Sequence, residues 1–506
     1  MKKILFSVLA AGMMLTSCNM DLDEPGTTPD TEAIQTVQDV RKFRDNLYSN
    51  FRALNAGAYV TCTEMQSDFF VGLLGNGGRG STWTQSDLTS ATSDIAGPYA
   101  SCYGVIANIN FMLPYAEALE GQVSGDDAIQ LNRYIGEAHF MRAFMYYWLL
   151  DHYCGRYEPS ALGLQITTKY DPSIPNSEYP GRSNMKTSVD FINGELVEAM
   201  RRIKAFEQVD VSCLAANAPY ISSFVIEALQ ARIALLTRDY ETAINKANSI
   251  ITSGVYELAN ITDYPSMWAN DQGSELLMTC AADAQEAAYF GSFFGEFNYI
   301  PDYPNRADCV PTWNLLSLYD DVNDVRFNTF FLGMPMTIDS RSAFGFIFNK
   351  FPGNPILISG DNEYKNIPKP FRLSEIYLIL AEASYEMGRR DAVAALNTLR
   401  ENRILNYVPE TGLAGLALRD AIREERAKEL VGEGFRMSDL RRWQMDMRRD
   451  ASYPTIPGYE NLATVFNNAD VATVLVANQS PYYVWPIPRN EFEVCPAMKG
   501  QQNPGY

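Results

Sequence analysis

The sequence predicts a mainly α-helical protein, one helical scaffold carrying large irregular loop insertions and a few short strands. Three observations predict it. Several long segments carry the apolar periodicity of helices. Two of these segments resemble each other at an offset of 152 residues. The stretches between them are rich in Gly, Pro, Asn, Asp and aromatic residues and show few helical periods.

The chain opens on Met1, Lys2 and Lys3, followed by apolar residues 4–15 and then Leu15-Thr16-Ser17-Cys18. A short basic start and about a dozen apolar residues read as a secretory signal, too short to span a bilayer. Small residues before Cys18, with Leu15 three positions upstream, resemble a bacterial lipobox. In lipoproteins that Cys becomes the acylated first residue of the mature chain, and two or more acyl chains make the anchoring durable. Residues 1–17 are therefore expected to be a signal peptide and residues 18–32 a polar, acidic tether. Residues 33–506 then form a single domain.

Residues 131–153 are apolar almost all round, which predicts a buried helix that ends before Gly155. Residues 188–206 predict an amphipathic one. The related pair covers 224–250 and 376–403 and aligns Ala231 with Ala383, Arg238 with Arg390, Asp239 with Asp391, and Ala243 with Ala395. Small residues twelve apart on two helices joined by a tight Arg-Asp turn fit a tetratricopeptide-type hairpin, where small side chains let paired helices approach closely. A helix is expected from 418 to about 440, stopped by Gly432 and Gly434. Residues 55–100, 255–370 and 450–506 read as irregular, with short strands at 347–351 and 471–477.

Composition excludes several functions. The chain holds 41 basic and 61 acidic residues, a net charge of −20, which becomes −22 once residues 1–17 and their two lysines are removed. That balance opposes phosphate-backbone binding, so no nucleic-acid partner is expected. His139 and His152 are the only histidines, and both read as structural. No two of Cys18, Cys62, Cys102, Cys154, Cys213, Cys280, Cys309 and Cys495 lie within four residues, so zinc-ribbon spacing is absent. With Cys18 acylated, an odd number of thiols remains and at least one is free. Asp320-Asp321-Val322-Asn323-Asp324 offers oxygen ligands but lacks the Gly and distal Glu of an EF-hand loop, and reads as a solvated turn. Residues 75–80 match GxGxxG, but no helical period follows, so a flexible glycine loop is the better reading. A glycoside hydrolase would need a placed carboxylate pair, and nothing in the pattern suggests one.

Four segments share a further resemblance. ERAKELVGEGFR at 425–436 continues to Asp439, Leu440, Arg441, Arg442 and Trp443. The tail carries WPIP at 485–488 and ends QNPGY. RLSEIYLILAEA occupies 372–383 and GEAHFMRAF occupies 136–144. Together with the lipobox they resemble the SusD/RagB family of outer-membrane nutrient-binding lipoproteins. The resemblance implies a SusD-like fold with four tetratricopeptide-like hairpins, lipid-anchored at the outer membrane and facing the cell exterior. It also implies a SusC-like TonB-dependent transporter as partner and a glycan, or in some members a peptide, as ligand. It brings no catalytic residue and no cofactor. The signature itself reads as structural, with Glu425 and Glu429 one turn apart on a helix surface and Arg436, Asp439 and Arg442 able to pair locally.

Sugars are recognised by aromatic rings under the apolar C–H face of a pyranose and by short polar side chains around its hydroxyls. Three stretches have that composition: Asp68, Phe69 and Phe70 with Arg79 and Trp83; Tyr299 and Tyr303; and Trp313 with Asn314. Their order resembles that of SusD proteins, and Trp83 and Trp313 are the foremost candidates for exposed rings. Trp148 reads as core, and Trp443 and Trp485 as structural. The expected function is glycan binding and delivery to the transporter, with no enzymatic chemistry. Peptide capture by a RagB-like lid and a structural helical-repeat adaptor remain alternatives.

Overall fold

The long helices pack in pairs, several of them along faces visible in the sequence as apolar periods. The computed structural model describes residues 33–72, 81–84, 88–290, 305–306, 309–338, 341–358, 364–449, 453–455, 474–478 and 480–506. Cys18, Arg79, Tyr299, Tyr303 and the GxGxxG segment lie outside the described residues. The first helices are α1 (Val37–Leu54), α2 (Ala58–Gln66), the short α3 (Ser81–Thr84), α4 (Ser93–Ala118), α5 (Asp126–Tyr153) and α6 (Met185–Glu207). They are followed by α7 (Ser223–Thr237), α8 (Tyr240–Thr252), α9 (Tyr264–Asn270), α10 (Trp313–Leu316) and α11 (Val325–Phe330). The last of the series are α12 (Leu373–Glu386), α13 (Asp391–Glu401), α14 (Gly415–Leu430) and α15 (Arg436–Trp443). No helix among the described residues is long and apolar enough to cross a membrane.

Helix α5 is the spine. It is buried from Arg133 through Asp151 without a break and packs against α1, α4 and α6. Each fully buried Leu, Ile, Phe or Met in such a helix contributes roughly 1.5–3 kcal/mol. The two related segments fold as the hairpins α7–α8 and α12–α13, and α8 packs on α12. Ala231, Ala243, Ala383 and Ala395 are all buried, as a close approach of paired helices requires. The turns differ in detail. Arg238 itself adopts the left-handed conformation in the first (φ 66°), and the Asp239 carboxylate accepts from the Thr242 amide to cap α8. In the second, Gly388 takes the positive φ (66°) two residues before Arg390.

Helix α4 lies partly in a stretch that the sequence marks as irregular. Pro98 and Pro114 within it, and the lack of a one-sided apolar stripe, hide it from periodicity.

The strands are short: β1 (Phe70–Gly72), β2 (Ala288–Tyr289), β3 (Asn305–Arg306), β4 (Cys309–Pro311), β5 (Phe331–Ile338), β6 (Arg341–Phe348), β7 (Lys365–Asn366), β8 (Met447–Arg449) and β9 (Val474–Val476). Antiparallel pairs join β1 to β4, β2 to β7, β5 to β6 and β8 to β9, and β3 lies parallel to β5. The pairing of β1 with β4 ties segments far apart in the chain, with Phe70 opposite Pro311, 241 residues on.

The signature helix is not on the surface. Glu425 and Glu429 of α14 are fully buried, which corrects the helix-surface reading while keeping the motif structural. The Glu429 carboxylate accepts from Arg326 Nη1 (3.1 Å), Arg372 Nη1 (2.9 Å), Arg403 Nε (3.0 Å) and the Tyr264 hydroxyl (3.1 Å). Around it Arg326 also pairs with Asp324 and Glu425, Arg372 and Arg403 share Glu275, Arg400 pairs with Glu425, and Lys350 and Arg372 share Glu433. Five cations thus face five anions, so the buried cluster is neutral as a whole. Burial alone would raise the Glu429 pKa, but Arg403, Arg372 and Arg326 hold it well below the usual carboxylate range.

The predicted helix 418–440 is two helices, split at Val431–Phe435. Gly432 has φ 79°, and a Cβ there would sit 2.6 Å from the Phe348 ring. Lys350 donates to the Glu429 and Val431 carbonyls, satisfying the end of α14 from the segment that follows β6. Arg442 does pair with Asp439 nearby, but Arg436 reaches across 368 residues to Asp68. The seven cysteines among the described residues are buried free thiols.

Candidate functional site

The β1–β4 pair brings two of the three predicted stretches together. The Thr312 amide donates to the Phe69 carbonyl (2.9 Å) and its hydroxyl to the Asp68 carbonyl (2.9 Å). The loop before β1 and the loop after β4 are therefore one unit.

Within that unit most of the predicted residues are inside. Asp68 is buried and bound in a bidentate pair by Arg436 (2.8 and 2.7 Å), whose guanidinium covers the Phe69 ring at 4.3 Å. Its carboxylate is committed to the protein, which corrects its assignment to a ligand. Phe70 is fully buried and meets Phe348 edge-on at 5.1 Å, so it offers no face. Trp83 is corrected in the same way. It is 1% exposed, tilted against Trp485 at 5.1 Å, and its indole N–H donates to Asp94 (3.3 Å). Its carbonyl accepts from the Tyr482 hydroxyl (2.8 Å). The physical reason is a partner that local composition does not show: the tail segment 482–485 closes over it.

Trp313 remains. It begins α10, is half-buried, and lies 6.3 Å from the ring of Tyr453 at 54°. Asn314 beside it donates from its amide nitrogen to the Arg448 carbonyl (3.0 Å), and no described residue donates to its amide oxygen. Tyr453 donates in turn to the Pro311 carbonyl. Arg449 on β8 is fully buried and donates from Nη1 to the carbonyls of Met65 (2.8 Å) and Ser67 (3.0 Å), fastening the end of α2 to the same unit. Burial lowers its pKa, and no carboxylate among the described residues is bonded to it. Sequence reasoning missed Tyr453 and the β8 segment, whose positions carry no local signal. A half-buried ring with a polar amide beside it, set on paired strands, has the chemistry to stack on an apolar face and bond a hydroxyl.

The other predicted residues divide plainly. Trp148 is core, Trp443 donates to Glu382 (2.7 Å), and Trp485 donates to Gln66 (2.8 Å). His139 shares Glu195 with Arg142 at 2.8 and 2.7 Å. His152 stacks on Trp148 at 3.9 Å, and burial lowers its pKa, keeping it neutral. Asp320 accepts the Val322 and Asn323 amides of its own turn (3.0 Å each), while Asp324 is buried against Arg326. Among the described residues no group of three or more His, Cys, Asp or Glu could hold a metal ion.

An interior cavity of about 60 Å³ lies between α1, α2, α5 and the Gly432–Phe435 turn. It has room for a few waters and none for a sugar. Next to that turn, Glu64 of α2 accepts the Gly434 amide (2.7 Å), its second oxygen has no partner, and burial pushes its pKa up to about 7.

A helical-repeat scaffold with short strands and a half-buried tryptophan on its inserted loops is what this geometry defines. Residues 334–506 match the model of the SusD family, and residues 26–216 match a second model described as "Starch-binding associating with outer membrane". Both the N-terminal and the C-terminal parts of the chain thus match models of SusD-like families. It is 23% identical over 487 residues to SusD-like protein P25 of Formosa agariphila, covering 83% of this chain and 81% of that one. With SusD-like protein P38 of the same organism it shares 23% identity over 353 residues, 61% of this chain and 66% of that protein. Among solved structures it superposes on a SusD superfamily protein from Bacteroides thetaiotaomicron with TM-score 0.74 and 21% identity, covering 93% of this chain and 100% of that one. Surface glycan-binding protein A from Bacteroides fluxus gives TM-score 0.66 and 18% identity, over 94% of this chain and 100% of that one. These likenesses agree with a mainly α, SusD-like fold.

Proposed function

We propose that this chain is a lipoprotein of the outer membrane that binds oligosaccharides and delivers them to a SusC-like TonB-dependent transporter, without chemistry of its own. Cys18 carries the lipid, residues 18–32 are the tether, and residues 33–506 are the binding domain facing the cell exterior. The observation that carries the reading is the half-buried Trp313 with Asn314 beside it, held on the β1–β4 pair. The descriptions of the second family model and of the Bacteroides fluxus neighbour support a glycan as ligand. Arg79, Tyr299 and Tyr303 complete the proposed ligand set from segments adjoining β1 and β3. Ligand that bridges lid and transporter favours the closed state only to the extent that it binds that state better.

The test is calorimetric titration of the detergent-solubilised chain with amylopectin, arabinoxylan, galactan and pectin, alongside Trp313→Ala. One glycan should bind, and the variant should bind it about tenfold more weakly. Silence across all four polysaccharides would defeat the glycan reading. Co-purification of a large β-barrel from membrane extracts tests the transporter, and loss of metabolic palmitate labelling in Cys18→Ala tests the anchor.

A further inference from the structure

A second depression lies at the far end of the β8–β9 ribbon. It encloses about 260 Å³ and is lined by Arg156, Gln444, Asn478, Ser480, Pro481, Tyr483 and Pro504, among others. That is several times the interior cavity and close to the lower end of small-ligand sites. One glycosyl unit is the scale of ligand it suits.

The lining chemistry selects that ligand further. The charges are matched within the protein: Arg441 is bound by Asp151 (2.7 Å) and the Tyr483 carbonyl (3.0 Å), and Arg156 by Glu158 (3.3 Å) and the Arg442 carbonyl (3.3 Å). An anion would find no unmatched cation. The side-chain amides of Gln444 and Asn478, in contrast, have no bond to any described residue. Each amide offers donors and an acceptor together, which suits hydroxyls that donate and accept at once. Pro481 and Pro504 supply apolar wall.

Gln444 also occupies an unusual place. It ends α15 in the left-handed conformation (φ 54°, ψ 46°), where glycine is the ordinary residue and carries no steric cost. A long amide stands there instead and lines the pocket.

The pocket and Asn314 share the β8–β9 ribbon. The carbonyl of Arg448 on β8 accepts from Asn314, and Gln444 lies four residues earlier, so at most about 14 Å of chain separates them. The Asn478 backbone N–H donates to the Asp446 carboxylate (2.9 Å), fixing the second strand's end to the same ribbon.

We propose that this pocket is a second sugar subsite, taking one neutral glycosyl unit of an oligosaccharide whose other end stacks on Trp313. The inference rests on the glycan reading above. Its test uses the polysaccharide that binds in the panel, cut to a ladder of oligosaccharides by partial acid hydrolysis. Each rung is titrated into the unaltered chain, Trp313→Ala and the double variant Gln444→Ala/Asn478→Ala. In the unaltered chain affinity should rise with length. The double variant should lose that rise, about five- to tenfold at the longest rungs, and match the unaltered chain within about twofold at the shortest. Trp313→Ala should weaken every rung. An intact length dependence in the double variant overturns the subsite and leaves the glycan reading standing. So does equal loss at the shortest rungs, because the substitutions would then act on the platform or the fold. An unaltered chain that binds no polysaccharide in the panel overturns both.

Discussion

The turn after α14 and the rim around Trp313 use charge and aromatic area in opposite ways. At the turn, Glu425, Glu429 and Glu433 are matched by Arg326, Arg372, Arg400, Arg403 and Lys350, drawn with their other partners from five separate stretches of chain and almost wholly buried. Such a cluster gives little net stability over an apolar core, but losing one member leaves a buried charge uncompensated. At the rim, the half-exposed Trp313 touches Tyr453 on one side and leaves its other polar neighbour, Asn314, part of its bonding capacity. The first region tolerates no substitution because every group is committed. The second keeps hydrogen-bonding capacity at the Asn314 amide oxygen, to which no described residue donates. A sequence signature of this density therefore marks the fold, while the site lies where the chain is less constrained.

Glu429→Ala should give the largest effect and would break the comparison if it did not. Three guanidiniums would lose their shared carboxylate, and urea denaturation should report a loss of about 3–5 kcal/mol, or no folded protein. A change below about 1 kcal/mol would mean that the cluster relaxes by admitting water. Trp83→Ala comes next, at about 3–4 kcal/mol, because a fully buried indole leaves a cavity. Its thermal unfolding should fall by several degrees, whereas Trp313→Ala should change stability by about 1 kcal/mol or less. Two equal shifts would erase the distinction between buried and presented tryptophan.

A smaller effect sharpens the same boundary. Glu64 faces Gly434, Lys350, Glu433 and Arg436, and its pKa of about 7 lies above the ordinary value of 4.5. A carboxyl whose folded pKa is raised binds a proton more readily in the folded state, so its stability contribution falls as pH rises from about 4.5 through about 7. Glu64→Gln removes that titration. The variant should match the unaltered chain at pH 5 and exceed it at pH 8 by on the order of 1–3 kcal/mol in urea denaturation. An equal difference at both pH values would contradict the assignment.

The paired hairpins were legible because Ala231, Ala243, Ala383 and Ala395 keep their spacing and their small size in both repeats. Helix α4 was not, since its prolines interrupt the pattern while its burial is decided by α1 and α5. The acids of the signature looked exposed because charged residues usually are, and their partners lie 26 to 103 residues away. Trp83 and Trp313 each lie between two short polar residues, Thr82 and Thr84 in one case and Thr312 and Asn314 in the other. Only the fold, which sends Trp485 to one and Tyr453 to the other, tells a packed ring from a presented one. The meeting of β1 with β4 likewise depends on a contact spanning 241 residues, and no local pattern announces it.

The central claim is that Trp313 presents a sugar-binding face while the signature cluster only holds the fold. Calorimetric titration of Trp313→Ala and the unaltered chain with the polysaccharide panel, with the melting temperature of each, tests it most directly. One glycan should bind the unaltered chain, the variant should bind it about tenfold more weakly, and the two melting temperatures should nearly coincide. Undiminished binding in a folded Trp313→Ala protein, or no glycan bound by either chain, would contradict it.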